Sequence, residues 1–327
     1  MVALGFLAAG LAAAIIALGV ITAVGVHLAH GKSPPCGAFI EVGGQRLHYT
    51  DRGEGPALVL IHGASSNLLE FEHSIAPRLA EHHRVLCFDR PGCGHSPRQR
   101  EGEWLDPTAL ARLVLDACEQ LGAEQPVIIG HSWAGSIVMA SLVHEARRVR
   151  GGVLLAGAAG HWIDEPTLGE RLDRWPGLLP LFAYTVVFPV GSLMVPKALA
   201  SVFSPHPVPE GHADRVGARL AVRPQAFLQD AQDIHELSPY LQLASPQYRA
   251  IAHPLLALHG DQDDVVPYWN HGQRFESIIE HMTTEVLPGQ GHALHHVIPA
   301  RIADRIATFV STLQAPEQRP VERRANN

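Results

Sequence analysis

The chain has 327 residues, 46% of them hydrophobic, so it can bury the core of one large domain or two modest ones. Its formal net charge is −7 and it carries no basic stripe, which argues against nucleic acid as a partner. Four cysteines in a chain of this length do not make a disulfide framework. We therefore expect a globular fold that does not depend on cross-links.

The first 26 residues, MVALGFLAAGLAAAIIALGVITAVGV, contain no charged side chain. This run exceeds the roughly 20 residues that a helix needs to cross the hydrocarbon layer. The alternative is a cleaved signal peptide, but its apolar core is usually only about 7–15 residues long and follows a basic residue. His27 also stands where cleavage after Ala29 would need a small residue. We predict an uncleaved transmembrane anchor, with residues 1–28 in the membrane and 1–30 as anchor and flank.

The side of the membrane on which the rest of the chain lies is only weakly indicated. Lys32 and Arg46 follow the apolar segment and nothing basic precedes it, which favours a cytoplasmic domain. Long domains translocate regardless of such counts, so the sidedness stays open at this stage.

The segment 31–37, GKSPPCG, is rich in helix breakers and predicts a linker. Beyond it, FIEV and RLHYTD flank Gly43-Gly44, which predicts an antiparallel hairpin. The runs ALVLIHG, RVLCFD, PVIIG and VRGGVLLAG predict buried strands. Helices are predicted in LEFEHSIAPRLAEH, in TALARLVLDACEQLG behind the cap pair Asp106-Pro107, and in AGSIVMASLVHEA.

The alternation of strands and helices stops at about residue 160 and resumes near 249. The interval is rich in Pro and Trp, as in WPGLLPLFAYTVVFPVGSLMVP. HPLLALHG and TTEVLP then predict strands, with a helix near 269–281 and an amphipathic helix in IPARIADRIATFVSTL. We predict an α/β fold with a mostly parallel sheet and helices on both faces. Its parts are a core over 38–159 and 249–314, a cap insertion over 160–248 and a disordered tail over 315–327.

One serine is displayed directly behind a predicted strand. PVIIG precedes it and the helix-type run AGSIVMA follows it, which leaves Ser132 on a tight turn. Gly130 and Gly135 supply the lack of bulk that such a turn needs. The pattern matches a nucleophile elbow, G-x-S-x-G, with Ala134 in place of the second glycine. The alternative is a serine that merely caps a helix. A catalytic serine needs a base to take its proton, so a histidine should accompany it.

Two later loops supply the partners of this serine. GDQDDVVP follows one predicted strand and GQGHALHH follows the next, so both lie where the carboxyl ends of parallel strands form sites. We expect His292 to take the proton from Ser132, and Asp263 to hold the imidazole in place and stabilise its cation. The chain order Ser, Asp, His is the one associated with this elbow.

Other carboxylates compete for the third role. Asp261 and Asp264 lie in the same loop as Asp263, which we prefer because it lies three residues past Gly260, where the strand has opened into the turn. Asp164, which follows the strand VRGGVLLAG, is a less favoured acid.

The sequence does not favour a metal or a cofactor. His292, His295 and His296 form an H-x-x-H-H spacing that resembles a metal-ligand pattern. Two histidines at a helix start with no nearby carboxylate or cysteine cluster are more often structural. We therefore predict no metal site. No cofactor is implied, because three side chains can carry the protons and the covalent intermediate.

An oxyanion hole needs two backbone N–H groups aimed at the developing charge. One should come from Trp133, the residue after the serine, and the other from Ala64 in the turn behind ALVLIHG. Gly63 lets that backbone approach a substrate closely. The alternative interpretation of His62-Gly63 is an ordinary strand-to-helix turn.

Five signatures, in order over about residues 39–312 apart from the cap, resemble those of the α/β-hydrolase superfamily: LIHGASSN, FDRPGCGHS, GHSWAG, GDQDDVVP and GQGHALHH. The resemblance implies an eight-stranded sheet, a triad of Ser132, Asp263 and His292, and oxyanion donors Ala64 and Trp133. It implies a structural role for the loop DRPGCGHS and hence no catalytic thiol at Cys93. The dehalogenase and epoxide-hydrolase branches carry aspartate at the nucleophile position, so the serine sets this chain apart from them.

Within the serine branches, the resemblance does not choose among esterases and lipases, carbon–carbon bond hydrolases and cofactor-free haloperoxidases. The predicted anchor favours a substrate that partitions into a bilayer. Apolar cap residues could line a pocket or touch lipid, although for most of them the simpler interpretation is a small core of the cap. These residues are Trp162, Trp175, Leu178, Leu179, Leu181, Phe182, Tyr184 and Phe188.

We therefore expect a membrane-anchored serine hydrolase that resembles monoacylglycerol lipases and cleaves an acyl ester of an apolar small molecule or lipid. No obligate protein partner is evident. A catalytically silent binding module of the same fold is the alternative from another functional class.

Overall fold

The described strands form one eight-stranded sheet. The computed structural model describes residues 2–98, 105–162 and 177–313. The strands are β1 Ala38–Val42, β2 Gln45–Arg52, β3 Ala57–Ile61, β4 Arg84–Phe88, β5 Val127–His131, β6 Gly151–Leu155, β7 Leu255–Gly260 and β8 Met282–Leu287. Their order is β1-β2-β4-β3-β5-β6-β7-β8. β2 pairs antiparallel with β1 and β4, and the remaining pairs are parallel.

The burial of the strands follows from this arrangement. β3, β5, β6 and β7 consist of buried residues throughout, because a parallel sheet is covered on both faces. Leu58 and Leu60 belong to one core cluster, whereas Val59 and Ile61 belong to the other. The β1–β2 hairpin turns at Gly43 and closes with Val42 opposite Gln45, as the sequence predicts.

Helices pack on both faces of the sheet, which confirms the predicted fold class. They are α1 Val2–Lys32, α2 Leu69–Glu72, α3 Ala76–Leu79, α4 Pro107–Gln120, α5 Gly135–His144, α6 Leu178–Phe182, α7 Phe188–Phe203, α8 His212–Arg215, α9 Pro224–Ala244, α10 Arg274–Glu276, α11 Leu294–Val297 and α12 Pro299–Ser311. α4 begins as expected, because the Asp106 carboxylate accepts a hydrogen bond from the N–H of Ala109 at 2.7 Å.

Three predicted boundaries differ from the structure. α1 runs through Lys32, two residues into the predicted linker. The helix predicted in LEFEHSIAPRLAEH is broken into α2 and α3, because Pro77 has no N–H to continue the ladder and the Ser74 hydroxyl bonds the carbonyl of Glu70 instead. The helix predicted near 269–281 is reduced to a π-helical turn, Trp269–Gln273, followed by α10.

Two helices are long and apolar enough to cross a membrane by length and composition. They are Ala3–Lys32, with a mean hydropathy of 2.5, and Leu178–Phe203, with 1.9. The second comprises α6, a π-helical turn and α7, and it lies in the cap between β6 and β7. The two helices touch, because Gly25 lies directly against the ring of Phe188. The structure thus pairs the N-terminal apolar helix with an apolar helix of the cap.

The apolar residues noted in the cap divide between core and surface. Trp162 packs on the main core cluster, and Phe188 is buried. Leu178, Leu181 and Tyr184 are exposed, so they do not form a small core of the cap. The predicted role of Trp175 lies outside the described residues, as does the predicted tail.

A buried aspartate joins the cap to the sheet. Asp233, on the inner face of α9, has no exposed surface. Its two carboxylate oxygens accept hydrogen bonds from Arg90 and Arg98, each at 2.8 Å. Its carbonyl accepts one from the indole N–H of Trp133 at 2.9 Å. The cap is thereby held on the loops that follow β4 and β5.

We expect Asp233→Asn to lower the free energy of unfolding by about 3 kcal/mol, because the substitution leaves buried arginine charge uncompensated. Asp214→Asn is the matched control in the cap, since it removes the same charge from an exposed pair with Arg219. That control should change stability by less than about 0.5 kcal/mol. Urea unfolding followed by tryptophan fluorescence measures both. Equal stabilities of the two variants would contradict the proposed attachment.

Candidate active site

Ser132 lies on a strained turn between β5 and α5. Its φ is +52°, a left-handed conformation that is unfavourable for serine. A Cβ at Gly130 would overlap the carbonyl of Ala134, and a Cβ at Gly135 would come within 2.5 Å of the N atom of Ala158. The glycine that the turn needs on its far side is therefore residue 135, while Ala134 fits at its own position with no exposed surface. The departure from G-x-S-x-G does not disturb the elbow.

The structure brings together His292 and Asp263 at the carboxyl edge of the sheet. His292 Nδ1 and Asp263 Oδ2 are 2.8 Å apart, and both side chains are buried. The other oxygen of Asp263 accepts hydrogen bonds from the N–H groups of Val265 and Val266, each at 2.9 Å. These bonds fix the carboxylate on the imidazole.

The competing acids lie elsewhere. Asp261 accepts a hydrogen bond from the N–H of Gly289 at 2.7 Å and is exposed. Asp264 is also exposed. Asp164 lies outside the described residues. Among the acids of the GDQDDVVP loop, Asp263 alone is hydrogen-bonded to His292 in the described part of the chain.

The environment of this pair suits a general base. Burial lowers the pKa of His292 below its ordinary value, although the hydrogen bond to Asp263 opposes the shift. Burial raises the pKa of Asp263, but the hydrogen bond from His292 and the two backbone N–H groups outweigh it, so this pKa lies below its ordinary value. A neutral imidazole beside an ionised carboxylate is therefore the state at neutral pH.

Ser132 lies at the same edge of the sheet, next to His131, which contacts His292. The rings of His131 and His292 lie 4.8 Å apart, and His131 Nε2 is 3.4 Å from the carbonyl oxygen of His292. Within the described ranges, the Ser132 hydroxyl is not hydrogen-bonded to His292. Such catalytic hydrogen bonds commonly tighten only when substrate binds.

The two residues whose N–H groups are predicted to form an oxyanion hole lie on turns near the serine. Trp133 lies in the first turn of a short 3₁₀-helix, Ser132–Ala134, where N–H groups have no intrahelical acceptor. Ala64 lies in the turn after β3. A Cβ at Gly63 would come within 2.8 Å of the Ser132 Cβ, so this turn approaches the serine closely.

Arg90 connects the turn after β3 to the cap, a link that the sequence did not predict. Its guanidinium donates to the carbonyl of Gly63 at 3.1 Å, lies 4.3 Å over the Trp133 ring, and pairs with Asp233. The available signal was an acid on the apolar face of an amphipathic helix, since Asp233 shares the buried face of α9 with Leu237.

The rest of the DRPGCGHS loop is structural, as the resemblance implies. The Asp89 carboxylate accepts hydrogen bonds from the N–H groups of Leu68 at 2.8 Å and His95 at 2.7 Å. A Cβ at Gly94 would overlap that carboxylate. Burial raises the pKa of Cys93 to about 12, which leaves an inert thiol.

A second polar cluster lies beside the elbow, and the sequence analysis missed it. His131 Nδ1 is 3.2 Å from a carboxylate oxygen of Glu70, and the rings of His131 and His295 lie 4.4 Å apart. The sequence suggested that no carboxylate lies near His295. That expectation is wrong, because the fold brings Glu70, which precedes His131 by 61 residues, close to both histidines.

Sequence comparison finds a relative that is named as a semialdehyde hydrolase. The chain is 29% identical over 247 residues to 2-hydroxymuconate semialdehyde hydrolase of Pseudomonas sp. (strain CF600). The alignment covers 72% of this chain and 80% of that protein.

Similar solved structures include a membrane phospholipase A described as a bacterial virulence factor and a thermophilic esterase from Thermogutta terrifontis. The phospholipase has a TM-score of 0.67 and 22% identity, with 95% of this chain and 97% of the other covered. The esterase has a TM-score of 0.68 and 22% identity, with 84% and 98% covered. At these identities, the likeness shows the fold alone.

The sequence model of one family covers most of the chain. It is described as alpha/beta hydrolase fold, and it matches residues 56–298, from the residue before β3 to the residue before α12. Together with the sheet order and the elbow, this match shows that the chain belongs to the alpha/beta hydrolase family.

Proposed function

We propose that the protein is a membrane-anchored serine hydrolase that cleaves a carboxylic ester of an apolar small molecule or lipid. The observation that supports it most directly is the buried Asp263–His292 hydrogen bond at the sheet edge where the elbow presents Ser132. The family match supports a hydrolase. We infer in addition that Ser132 is the nucleophile, that a carboxylic ester is cleaved and that the protein lies at a membrane.

The chemistry divides into two steps. His292 takes the proton from the hydroxyl of Ser132 as its oxygen attacks the ester carbonyl, and the N–H groups of Ala64 and Trp133 receive the developing oxyanion. His292 then gives that proton to the leaving alcohol, which leaves an acyl-enzyme. In the second step, His292 takes a proton from water, hydroxide attacks the acyl group, and the proton returns to the serine. Asp263 stays ionised and stabilises the imidazolium.

The exposed surface supports an apolar substrate. Leu193 of α7 is 81% exposed, and Val190, one turn before it, is 50% exposed. This apolar surface belongs to the cap helix that contacts the N-terminal helix. Exposed apolar patches of this kind mark interaction with membranes or ligands. A hydrolase that carries such a surface is suited to substrates that partition into lipid.

A second candidate function is carbon–carbon bond hydrolysis, which the identity to 2-hydroxymuconate semialdehyde hydrolase favours. A serine, an acid and a histidine suffice for both reactions. Parallel assays with p-nitrophenyl esters and with a dienone acid from ring fission separate them. We expect turnover of the esters to exceed that of the dienone acid, and the reverse result would favour the second candidate.

Labelling with a fluorophosphonate probe tests the nucleophile. The wild-type protein should label and Ser132→Ala should not, because the probe phosphonylates an activated serine. Ser136→Ala is the matched control, since its buried hydroxyl instead donates to the carbonyl of Trp133 at 2.8 Å. This control should label like the wild type.

Two outcomes would contradict the assignment. Persistent labelling of Ser132→Ala would place the nucleophile elsewhere. A lack of labelling and of turnover across a broad ester panel would favour a catalytically silent binding module.

The pH dependence of kcat/KM reports the state of His292 in the free enzyme. Only the neutral imidazole accepts the serine proton, and it is neutral above its pKa. Because that pKa is lowered, activity should persist as pH falls through 6.5 and decline only below that value. An acid limb centred above pH 6.5 would contradict the assignment of His292 as the base.

Substitution of the acid tests the role of Asp263. Asp263→Asn should reduce kcat by about 10⁴. The exposed neighbour gives the control, since Asp264→Asn should retain activity.

Membrane association tests the proposed anchor. We expect the full chain to remain in the membrane pellet after alkaline carbonate extraction and to have the intact mass, because α1 should not be cleaved. Protease treatment reports on which side of the membrane the hydrolase domain lies. A cytoplasmic domain should be digested in inverted vesicles and protected in intact cells. Recovery of a shortened chain in the supernatant would instead indicate a cleaved signal peptide.

A further inference from the structure

Three potential metal ligands converge behind the nucleophile elbow. Glu70 lies on α2, His131 at the end of β5, and His295 on α11. One carboxylate oxygen and one ring nitrogen from each histidine all lie within 4.8 Å of one another. The three residues are buried, with relative exposures of 5%, 5% and 1%. Solvent therefore does not compete strongly for these atoms.

His295 supplies a second, independent observation. Neither of its ring nitrogens has a hydrogen-bond partner among the described residues. Buried polar side chains are ordinarily hydrogen-bonded, because an unsatisfied group keeps its desolvation cost. Coordination through one nitrogen would satisfy a group that the surrounding protein leaves unpaired.

We propose that Glu70, His131 and His295 form a zinc site. Two imidazole nitrogens and one carboxylate are a ligand set that zinc takes, at about 2.0–2.2 Å from the ion. Ligand atoms around such a tetrahedral ion lie roughly 3.3–3.5 Å apart. His131 Nδ1 and Glu70 Oε1 are already 3.2 Å apart. The ligand atom of His295 lies within 4.8 Å of its partners, so its ring would move toward them when zinc binds.

The surroundings of His131 fit coordination through Nδ1. A ligating imidazole almost always donates its other N–H to a carbonyl or carboxylate. His131 Nε2 lies 3.4 Å from the carbonyl oxygen of His292, which is such a partner. The negative charge of the Glu70 carboxylate offsets part of the 2+ charge of the zinc ion. Calcium and magnesium prefer oxygen ligands, so this set discriminates against them.

Metal content of the full chain in detergent tests the proposal. The protein is stripped with a chelator, equilibrated with zinc, calcium or magnesium, and dialysed before elemental analysis. We expect one zinc per chain and no retained calcium or magnesium. His295→Gln should weaken zinc binding by at least about 100-fold, since even outer-shell substitutions cost about 10–100-fold.

His296→Gln is the matched control. His296 lies on the same short helix with its ring 4.2 Å from that of His295, but it is not part of the three-ligand set. It should bind zinc like the wild type. Zinc should also raise the melting temperature of the wild type and of His296→Gln, but not that of His295→Gln. Glu70→Gln provides a second test if His295→Gln does not fold.

Absence of zinc from the wild type would overturn the proposal. Unchanged binding in both His295→Gln and Glu70→Gln would do so as well, as would equal loss in His296→Gln. None of these measurements uses catalysis, so their failure is distinct from failure of the proposed ester hydrolysis.

Discussion

The common direction of the strands is the constraint on which the site depends. β3, β5, β7 and β8 run parallel, so their carboxyl ends meet at one edge of the sheet. Ala64, Ser132, Asp263 and His292 all follow these ends, although they are spread over more than two hundred positions of sequence. A reversal of any of these strands would carry its functional residue to the opposite edge. The sheet brings these residues to one edge, and hydrogen bonds then set their final positions.

Between the cap and the core, the buried ion pair of Arg90 and Asp233 sets these positions. Arg90 binds the carbonyl of Gly63, stacks on Trp133 and pairs with Asp233, so one guanidinium contacts both sides of the proposed oxyanion hole. A buried ion pair contributes little net stability relative to well-packed apolar groups, because desolvation opposes the attraction. Here the buried pair serves to position the site. The hydrogen bonds of Arg90 are directional, and they hold the turn after β3 at a fixed distance from the serine.

The sequence predicted the parts whose signals are local. Apolar runs identified the strands, and small residues around Ser132 identified the elbow. Position along the loop favoured Asp263, the acid that the structure hydrogen-bonds to His292. Helix continuity was overestimated where Pro77 interrupts the ladder. Contacts between distant elements were missed. The position of Asp233 on an apolar helix face indicates burial but does not identify Arg90 as its partner, and Glu70 carries no local sign of His131.

If the proposed anchor lies in a membrane, the contact between Gly25 and Phe188 has a mechanical consequence. With no side chain at residue 25, the ring of Phe188 can press on the backbone of α1, so neither helix slides past the other without losing that contact. A bilayer that holds the proposed anchor would fix the depth of the first helix, and the contact would transmit that depth to the second. A lipid diffusing laterally within one leaflet would then meet the cap at a constant height, without first having to escape into water.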